Sequence, residues 1–167
     1  MSDLASTTAA VEALALALRR LGWRLATAES CTGGLVAAAC TSVAGSSDWF
    51  DRGFVTYSNA AKGEMLGVGA ALIAAHGAVS AEVAEAMAAG VIARSAANLA
   101  IAVTGIAGPG GAVPGKPVGT VWLGWMERGG APASGRLQLA GDRSDVRAQT
   151  VALALQRLLA VCSDLSS

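Results

Sequence analysis

Apolar positions along the chain follow a helical period in some segments and a strand period in others. Residues 6–20 place apolar side chains on one face of a predicted helix, namely Leu14, Ala15, Leu18 and Leu21. Three strands are predicted farther along, at WRLATAES (23–30), RGFVTYS (52–58) and LAIAVTG (99–105). The third is nearly all apolar, which is typical of a strand in the centre of a sheet.

Further helices are predicted between and after these strands. They cover residues 34–43, 59–66, 69–75, 81–97 and 142–162. Ser80 is a good N-cap for the fourth of them, and Ser144 is a candidate cap for the last. Two more strands, GTVWLGWME (119–127) and GRLQLAG (135–141), are predicted to form a hairpin with a longer loop.

Strands that alternate with helices and end in a hairpin indicate an α/β fold. We predict a three-layer α/β/α domain with a mixed, mostly parallel sheet, as a single domain over residues 1–167. In open α/β sheets, ligands bind beyond the carboxyl ends of the strands. Three polar segments follow such ends and should meet in space: ESCTGG (29–34), TYSNAAK (56–62) and VTGIAGPGG (103–111).

Charge and hydropathy argue against two classes of partner. Twelve basic and twelve acidic residues give a formal net charge of +0. They form no basic patch of the kind that binds nucleic acid or an anionic membrane. Mean hydropathy is high, but the long uncharged stretches are broken by Gly, Ser, Thr and Pro. No membrane-spanning segment is therefore predicted.

The amino terminus and the cysteines point to the cytoplasm. The segment 1–23 lacks a basic region before its apolar part, which Glu12 interrupts, so no signal peptide is predicted. Three cysteines, Cys31, Cys40 and Cys162, are an odd number without metal-ligand spacing. Reduced thiols in a cytoplasmic protein without a metal centre fit this pattern best.

Ser30 lies where a predicted strand turns into a helix. The N–H groups of Thr32, Gly33 and Gly34 would then be unpaired first-turn donors for an oxyanion or a phosphate. Alternatively, Ser30 or Thr32 only caps the helix, and the glycines let the backbone turn. The segment does not match the G-x-S-x-G elbow of α/β-hydrolases. The single histidine, His76, argues against a Ser-His-Asp triad.

Lys62 is the candidate for activating a serine. The chain has two lysines, Lys62 and Lys116, and Lys62 shares the segment TYSNAAK with the only tyrosine, Tyr57. A desolvated lysine can act as a base and a tyrosine can hold the proton, so these two residues with Ser30 can replace a histidine triad. The alternative is that Lys62 is a solvated surface residue.

The Gly/Pro-rich segment after the third strand matches a P-loop only in part. Residues 110–116 follow G-x-x-x-x-G-K, but Pro117 stands where Ser or Thr would ligate magnesium, and a strand follows instead of a helix. What remains is a long loop with Thr104 and Gly105 at its base. Such a loop either shapes a ligand pocket or is a plain connection.

Arg143 and Arg147 are four residues apart at the start of the last predicted helix. This spacing puts both guanidinium groups on one face, where they can clasp a phosphate or a carboxylate. The alternative is local ion pairing with Asp142 and Asp145.

Four segments together resemble the CinA C-terminal domain family: AESCTGGLVAA, VAGSSDWFDRGFVTYSNAAKGEMLGV, GAVSAEVAEAMAAG and AVTGIAGPGG. The likeness covers nearly the whole chain in order. Stand-alone members of this family are nicotinamide-nucleotide amidases. Full-length members carry an additional amino-terminal domain resembling molybdopterin-binding proteins, for which we expect no counterpart here.

The resemblance implies hydrolysis of the carboxamide of nicotinamide mononucleotide to nicotinate mononucleotide and ammonia, in pyridine nucleotide salvage, without a cofactor. Ser30 would be the nucleophile, and Tyr57 and Lys62 would activate it. Thr104 and Gly105 would line the pocket, and Arg143 and Arg147 would contact the phosphate. From the chemistry of the turn we add the N–H donors of Thr32, Gly33 and Gly34 for the oxyanion, and Glu29, which either fixes Lys62 or the amide nitrogen or forms a structural salt bridge. The resemblance also implies a homo-oligomer, a dimer or larger.

Two other functions stay open at this point. One is a catalytically silent module that binds a nucleotide or a partner, and the other is an amidase or esterase for a different small substrate. Cys31 adjoins Ser30, and a thiol is intrinsically the better nucleophile. Neighbouring side chains on a strand-to-helix turn point in different directions, and we favour Ser30.

Overall fold

The protein is built on a five-stranded sheet with helices on both faces, as seen in a computed structural model that describes residues 4–167. Residues 1–3, where the predicted domain begins, lie outside the described part. The strands are β1 (Leu25–Glu29), β2 (Phe50–Val55), β3 (Leu99–Gly105), β4 (Thr120–Glu127) and β5 (Ala133–Gln138). The helices are α1 (Leu4–Leu21), α2 (Leu35–Cys40), α3 (Asn59–Leu66), α4 (Ala70–His76), α5 (Ala81–Ala93) and α6 (Arg143–Leu165).

The sheet is mixed, with the strand order β2-β1-β3-β4-β5. Strand β1 pairs in parallel with β2 and β3, whereas β4 is antiparallel to β3 and to β5. Four strands therefore run in one direction and only β4 runs against them. The predicted mixed, mostly parallel sheet is confirmed in this sense.

Alternation along β3 separates the two helical layers. Leu99, Ile101 and Val103 pack in the cluster that includes α1 and α6, whereas Ala100 and Ala102 pack in the cluster that includes α5. Successive side chains of a strand point to opposite faces, so one strand contributes to both cores. The alanine face allows α5 to approach the sheet closely. The predicted three-layer arrangement is confirmed.

Two predicted helices end earlier than expected, and polar groups bind carbonyls near both ends. Helix α2 stops at Cys40, where the Thr41 hydroxyl donates to the Ala37 carbonyl at 2.9 Å. Helix α5 stops at Ala93, and the guanidinium group of Arg128, at the end of β4, donates to the Ile92 carbonyl at 2.8 Å. The Arg128 contact satisfies a carbonyl of the last turn of α5, where carbonyls lack helical partners.

Helix α6 is capped by Asp142 and not by the predicted Ser144. The Asp142 carboxylate accepts a hydrogen bond from the Asp145 N–H at 2.9 Å, and the Asp145 carboxylate accepts one from the Asp142 N–H at 3.0 Å. This reciprocal capping box satisfies two backbone donors at once. It also occupies both carboxylates with backbone contacts.

We expect Asp142→Ala to lower the free energy of unfolding by about 0.5–2 kcal/mol, the usual cost of a lost cap. Ser144→Ala, two residues away, should change it by less than about 0.5 kcal/mol, as surface substitutions do. Urea denaturation of the two variants measures both values. Equal effects of the two substitutions would contradict this assignment of the cap.

Candidate active site

The carboxyl ends of β1, β2 and β3 bring the predicted polar segments together. The N–H of Ser30 donates to the carbonyl of Val103 at 3.0 Å, and the N–H of Thr56 donates to the carbonyl of Glu29 at 2.9 Å. Each hydrogen bond extends the parallel pairing by one residue beyond the strand end. Ser30 is therefore held between the residues that follow β2 and those at the end of β3.

Lys62 reaches this strand end from α3 and contacts the Ser30 hydroxyl. Its Nζ lies 3.2 Å from Ser30 Oγ, 3.2 Å from the Thr56 carbonyl oxygen and 3.4 Å from the Tyr57 carbonyl oxygen. Ser58 starts α3 by accepting a hydrogen bond from the Ala61 N–H, which places Lys62 on the face toward the sheet. Because Lys62 is 1% exposed, the alternative of a solvated surface lysine is wrong.

Burial makes the Lys62 ammonium easier to deprotonate than a solvated one. Burial lowers the pKa of Lys62 below its ordinary value of 10.5. Within residues 4–167 no carboxylate lies at ion-pair distance from Nζ, and its three partners are neutral oxygens. A lysine that loses its proton easily beside a hydroxyl can accept the proton of that hydroxyl.

Glu29 contacts α2 and not Lys62. Its carboxylate accepts hydrogen bonds from the Thr32 hydroxyl at 2.7 Å, the Val36 N–H at 2.7 Å and the Ala37 N–H at 3.0 Å. Glu29 is 1% exposed, so α2 compensates for its desolvation. These contacts hold the turn that follows Ser30 against the helix. The predicted contact of Glu29 with substrate stays a prediction.

The turn between Ser30 and α2 differs from expectation in one donor. The N–H of Gly33 donates to the Ser30 carbonyl at 3.0 Å, so the prediction of a free donor at Gly33 is wrong. The N–H groups of Thr32 and Gly34 have no backbone acceptor among the described residues. Two of the three predicted donors therefore remain. Gly34 has φ 106°, which only glycine adopts easily.

Cys31 is part of the core and not a competing nucleophile. Its side chain packs among apolar residues, and burial raises the pKa of the thiol to about 11. The thiolate is the reactive form of cysteine, and at neutral pH almost none of it is present at this pKa. Ser30 is therefore the nucleophile that the geometry favours.

The two predicted arginines contact the site and do not pair with the neighbouring aspartates. Arg147 donates from Nε to the Cys31 carbonyl at 3.1 Å and from Nη2 to the Thr32 carbonyl at 3.4 Å. Arg143 donates to the Gly108 carbonyl at 2.8 Å. Among the described residues neither guanidinium group forms an ion pair. The alternative of local ion pairing is therefore wrong.

The main chain of Tyr57 contacts Ser30, whereas its side chain contacts Arg143. Its carbonyl oxygen lies 3.5 Å from Ser30 Oγ, the outer limit of a hydrogen bond. Its phenol, on a residue that is 59% exposed, lies 2.9 Å from Nη2 of Arg143. The predicted activation of Ser30 by the Tyr57 hydroxyl stays a prediction, because the carbonyl is what contacts Ser30 here.

Thr104 and Gly105 support the site from β3. The Thr104 hydroxyl donates to the Ala78 carbonyl at 2.8 Å and so holds the segment before α5. A Cβ at Gly105 would lie 2.7 Å from Cγ2 of Val121 and 3.1 Å from Sγ of Cys31. Only glycine leaves room for the residue that follows the nucleophile.

We expect Gly105→Ala to lower the free energy of unfolding by about 1–3 kcal/mol, the usual cost of overpacking. It should also reduce turnover, because the displaced Cys31 is bonded to Ser30. Gly110→Ala is the matched control, since a Cβ there would meet nothing within 4 Å. Thermal unfolding and turnover of both variants test this, and a Gly105→Ala variant indistinguishable from Gly110→Ala would refute it.

Comparison with known proteins identifies the family of this chain. The family model described as the CinA C-terminal domain matches residues 7–162. This chain belongs to the CinA C-terminal domain family. The match covers every strand of the sheet and the residues around Ser30.

Relatives in the family carry informative names. Proteins named nicotinamide-nucleotide amidohydrolase PncC are 52% identical over 143 residues in Enterobacter agglomerans and 56% identical over 142 residues in Pseudomonas putida. These alignments cover 86% and 85% of this chain and 87% and 88% of the relatives. A crystal structure of the competence/damage inducible protein CihA from Agrobacterium tumefaciens has a TM-score of 0.90 at 46% identity, covering 93% of this chain and 94% of that one.

Two features of the site were not predicted from the sequence. Arg147 holds the carbonyls of the turn after Ser30, and its predicted contact with a ligand stays a prediction. Thr56 was not singled out, although its place one residue beyond β2 is the place that Ser30 has beyond β1. The alternation of side chains along paired strands is the signal that could have identified it.

Residues 4–167 contain neither a membrane-spanning helix nor a metal-binding cluster. No helix in this range is long and apolar enough to cross a membrane. The same residues contain no group of three or more His, Cys, Asp or Glu side chains arranged to hold a metal ion.

Proposed function

We propose that this chain hydrolyses the carboxamide of nicotinamide mononucleotide to nicotinate mononucleotide and ammonia. The names of relatives at about half identity support the substrate. The observation that carries the chemistry is the buried contact of 3.2 Å between Lys62 Nζ and Ser30 Oγ. A serine beside a desolvated lysine is the arrangement that activates a hydroxyl without histidine.

The reaction we propose proceeds through an ester of Ser30. Neutral Lys62 takes the hydroxyl proton while Ser30 Oγ attacks the carboxamide carbon. The oxyanion accepts hydrogen bonds from free N–H groups of the turn, at Thr32 or Gly34, each worth about 2.7–4 kcal/mol. Lys62 then gives its proton to the amide nitrogen, the C–N bond breaks and ammonia leaves. Water hydrolyses the ester with Lys62 again as the base.

Charge at the mouth of the site suits a phosphate-bearing substrate. Arg143 and Arg147 add two guanidinium groups next to the Ser30 turn, and neither forms an ion pair among the described residues. Arginine binds phosphate oxygens in two-point contacts. We propose that Arg143, which is exposed beside Tyr57, binds the substrate phosphate, and that Arg147 maintains the turn.

The wider setting is also a proposal. We propose a single catalytic domain that acts in the cytoplasm as a homo-oligomer on a small-molecule substrate, without a nucleic-acid or membrane partner. Size-exclusion chromatography with light scattering at several concentrations measures the oligomeric state. A strict monomer at all of them would remove that part of the proposal.

The direct test is ammonia release from three amides that differ stepwise: nicotinamide, nicotinamide riboside and nicotinamide mononucleotide. We expect turnover of the mononucleotide, with nicotinate mononucleotide as the second product, and little turnover of the two amides that lack phosphate. Equal turnover of all three would show an amidase with a different substrate. Tight binding of the mononucleotide without turnover would indicate a silent binding module.

We expect kcat/KM to rise with pH through the pKa of Lys62 in the free enzyme. The neutral amine is the active form, so the deprotonated fraction and the rate increase together. Because burial lowers this pKa, the midpoint of the rise should lie below the ordinary value of 10.5. A pH profile of kcat/KM measures it, and a midpoint at or above 10.5 would contradict the role of Lys62 as the base.

A further inference from the structure

Three hydroxyl groups stand in one row across the carboxyl ends of β2, β1 and β3. They belong to Thr56, Ser30 and Thr104. The row follows from two hydrogen bonds, one from the Ser30 N–H to the Val103 carbonyl and one from the Thr56 N–H to the Glu29 carbonyl. Glu29 pairs with Val55 on one side and with Val103 on the other. Each residue of the row directly follows one of these three paired residues, so the three lie side by side.

The members of the row face the same side of the sheet. The Glu29 carboxylate points to α2, so the next side chain, that of Ser30, points to the opposite face, toward α3. Val55 Cγ2 lies on the α2 face as well, 3.5 Å from where a Cβ of Gly34 would stand. The following residue, Thr56, therefore turns its side chain to the face of Ser30.

Thr56 differs from its two neighbours in having no partner for its hydroxyl. Ser30 Oγ contacts Lys62, and the Thr104 hydroxyl donates to the Ala78 carbonyl. Thr56 is 0% exposed, and its Oγ1 has no hydrogen-bond partner among the residues that the structure describes. Buried polar atoms of this kind are rare, and leaving one unpaired costs about 1–3 kcal/mol.

Two other buried polar atoms in residues 4–167 are unpaired, and neither is at the site. Thr27 Oγ1 lies in the middle of β1, 2.9 Å from where a Cβ of Gly53 would stand. Trp49 Nε1 belongs to the core between the sheet and α1. Only Thr56 adjoins the amine, since its own carbonyl oxygen lies 3.2 Å from Lys62 Nζ.

We propose that Thr56 is a positioning residue that, together with Lys62, holds the water that hydrolyses the ester of Ser30. This inference rests on the proposed function, because it requires that ester. After ammonia has left, Lys62 is neutral and can accept one O–H of a water molecule. Thr56 Oγ1 accepts the other O–H, which leaves a lone pair of the water oxygen free to attack.

The spacing of the row brings this water to the reacting carbon. Neighbouring strands lie about 4.8 Å apart, so a water bonded to Thr56 on the Ser30 side lies next to the acyl group carried by Ser30. The water gives one proton to Lys62, and its oxygen forms the new C–O bond. The bond from the acyl carbon to Ser30 Oγ then breaks, and Lys62 returns the proton to that oxygen.

The test separates the two halves of the reaction of nicotinamide mononucleotide by rapid quench, following ammonia and nicotinate mononucleotide independently. The variants are Thr56→Val, Thr56→Ser and Thr27→Val, the last removing a buried and equally unpaired hydroxyl away from the site. We expect Thr56→Val to release one equivalent of ammonia at nearly the wild-type rate and then to turn over about 10²-fold more slowly, the usual effect of a misplaced reactant.

The conservative variant, Thr56→Ser, and the control variant, Thr27→Val, are both expected to stay active. Thr56→Ser keeps the hydroxyl and should turn over within about threefold of wild type, and so should Thr27→Val. Hydroxylamine, a nucleophile that needs less activation than water, should restore turnover of Thr56→Val and form the hydroxamate. A residue that only supports the fold would slow ammonia release as well and would not respond to hydroxylamine.

Three results would overturn the inference. The first is a Thr56→Val variant that behaves like Thr27→Val. The second is equal slowing of both products in Thr56→Val. If Thr56→Val does not fold, the same two results are sought by comparing Thr56→Ala with Thr56→Ser. The third is a wild-type enzyme that releases no ammonia from nicotinamide mononucleotide, which overturns the proposed function too, whereas the first two leave it intact.

Discussion

Ser30→Ala should lower ammonia release from nicotinamide mononucleotide by about 10⁴-fold or more, because it removes the atom that attacks the carboxamide. The substitution deletes one oxygen from a residue that is 8% exposed, and it keeps every backbone contact of the turn. Thermal unfolding should therefore stay close to that of the wild type. Steady-state ammonia release and a melting curve of the same preparation measure both expectations.

The matched control for this variant is Cys31→Ala at the next position. A thiol that burial keeps protonated contributes no nucleophile, so Cys31→Ala should retain activity within about tenfold, the loss reflecting packing alone. If instead Cys31→Ala were the dead variant and Ser30→Ala the active one, the nucleophile would be the thiol. Trapping the ester on Ser30 with mass spectrometry then decides whether attack is covalent.

Lys62→Met should abolish turnover to the same degree as Ser30→Ala, because nucleophile and base act as a unit. The double variant should accordingly be no slower than either single variant. Lys116→Met is the control, since Lys116 is the other lysine and binds the His76 carbonyl, at the end of α4. We expect it to keep activity within about threefold. Rates that multiply in the double variant would contradict a shared step.

Stability should respond to Lys62→Met in a way that depends on pH. The pKa of Lys62 is lower in the folded chain than its ordinary value of 10.5, so the unfolded chain binds more protons between the two values. The free energy of unfolding of the wild type therefore rises with pH across that window, and falls as pH drops through the folded pKa. Lys62→Met lacks this group and should lack this part of the rise.

Urea denaturation at several pH values up to 10.5 measures the effect as a difference between wild type and variant. The difference should shift in favour of the wild type as pH increases. At neutral pH the variant gains by removing a buried amine but leaves the carbonyls of Thr56 and Tyr57 without their donor, so the two changes oppose each other. A difference independent of pH would contradict a lowered pKa.

Local chemistry in the sequence accounts for much of the fold. Strand β3 was predicted with its observed bounds, 99–105, because an unbroken apolar run of that length has few other structures open to it. Helix α3, at 59–66, was also predicted with its observed bounds. Helix α5, by contrast, was predicted to reach 97 but ends at Ala93. The Ser95 hydroxyl donates to the Val91 carbonyl, and the Ile92 carbonyl is bound by Arg128, a distant residue brought there by β4.

The candidate site, like the fold, was predictable from the sequence only in part. The sequence alone determined that three polar segments follow parallel strands, and parallel strands place their carboxyl ends at one edge, so Ser30 and Lys62 were expected to be neighbours. Tertiary structure decided what the segments do there. It removed Lys62 from water, turned Glu29 toward α2, and aligned Thr56 with Ser30. Burial and orientation depend on groups far apart in the chain, and no local pattern encodes them.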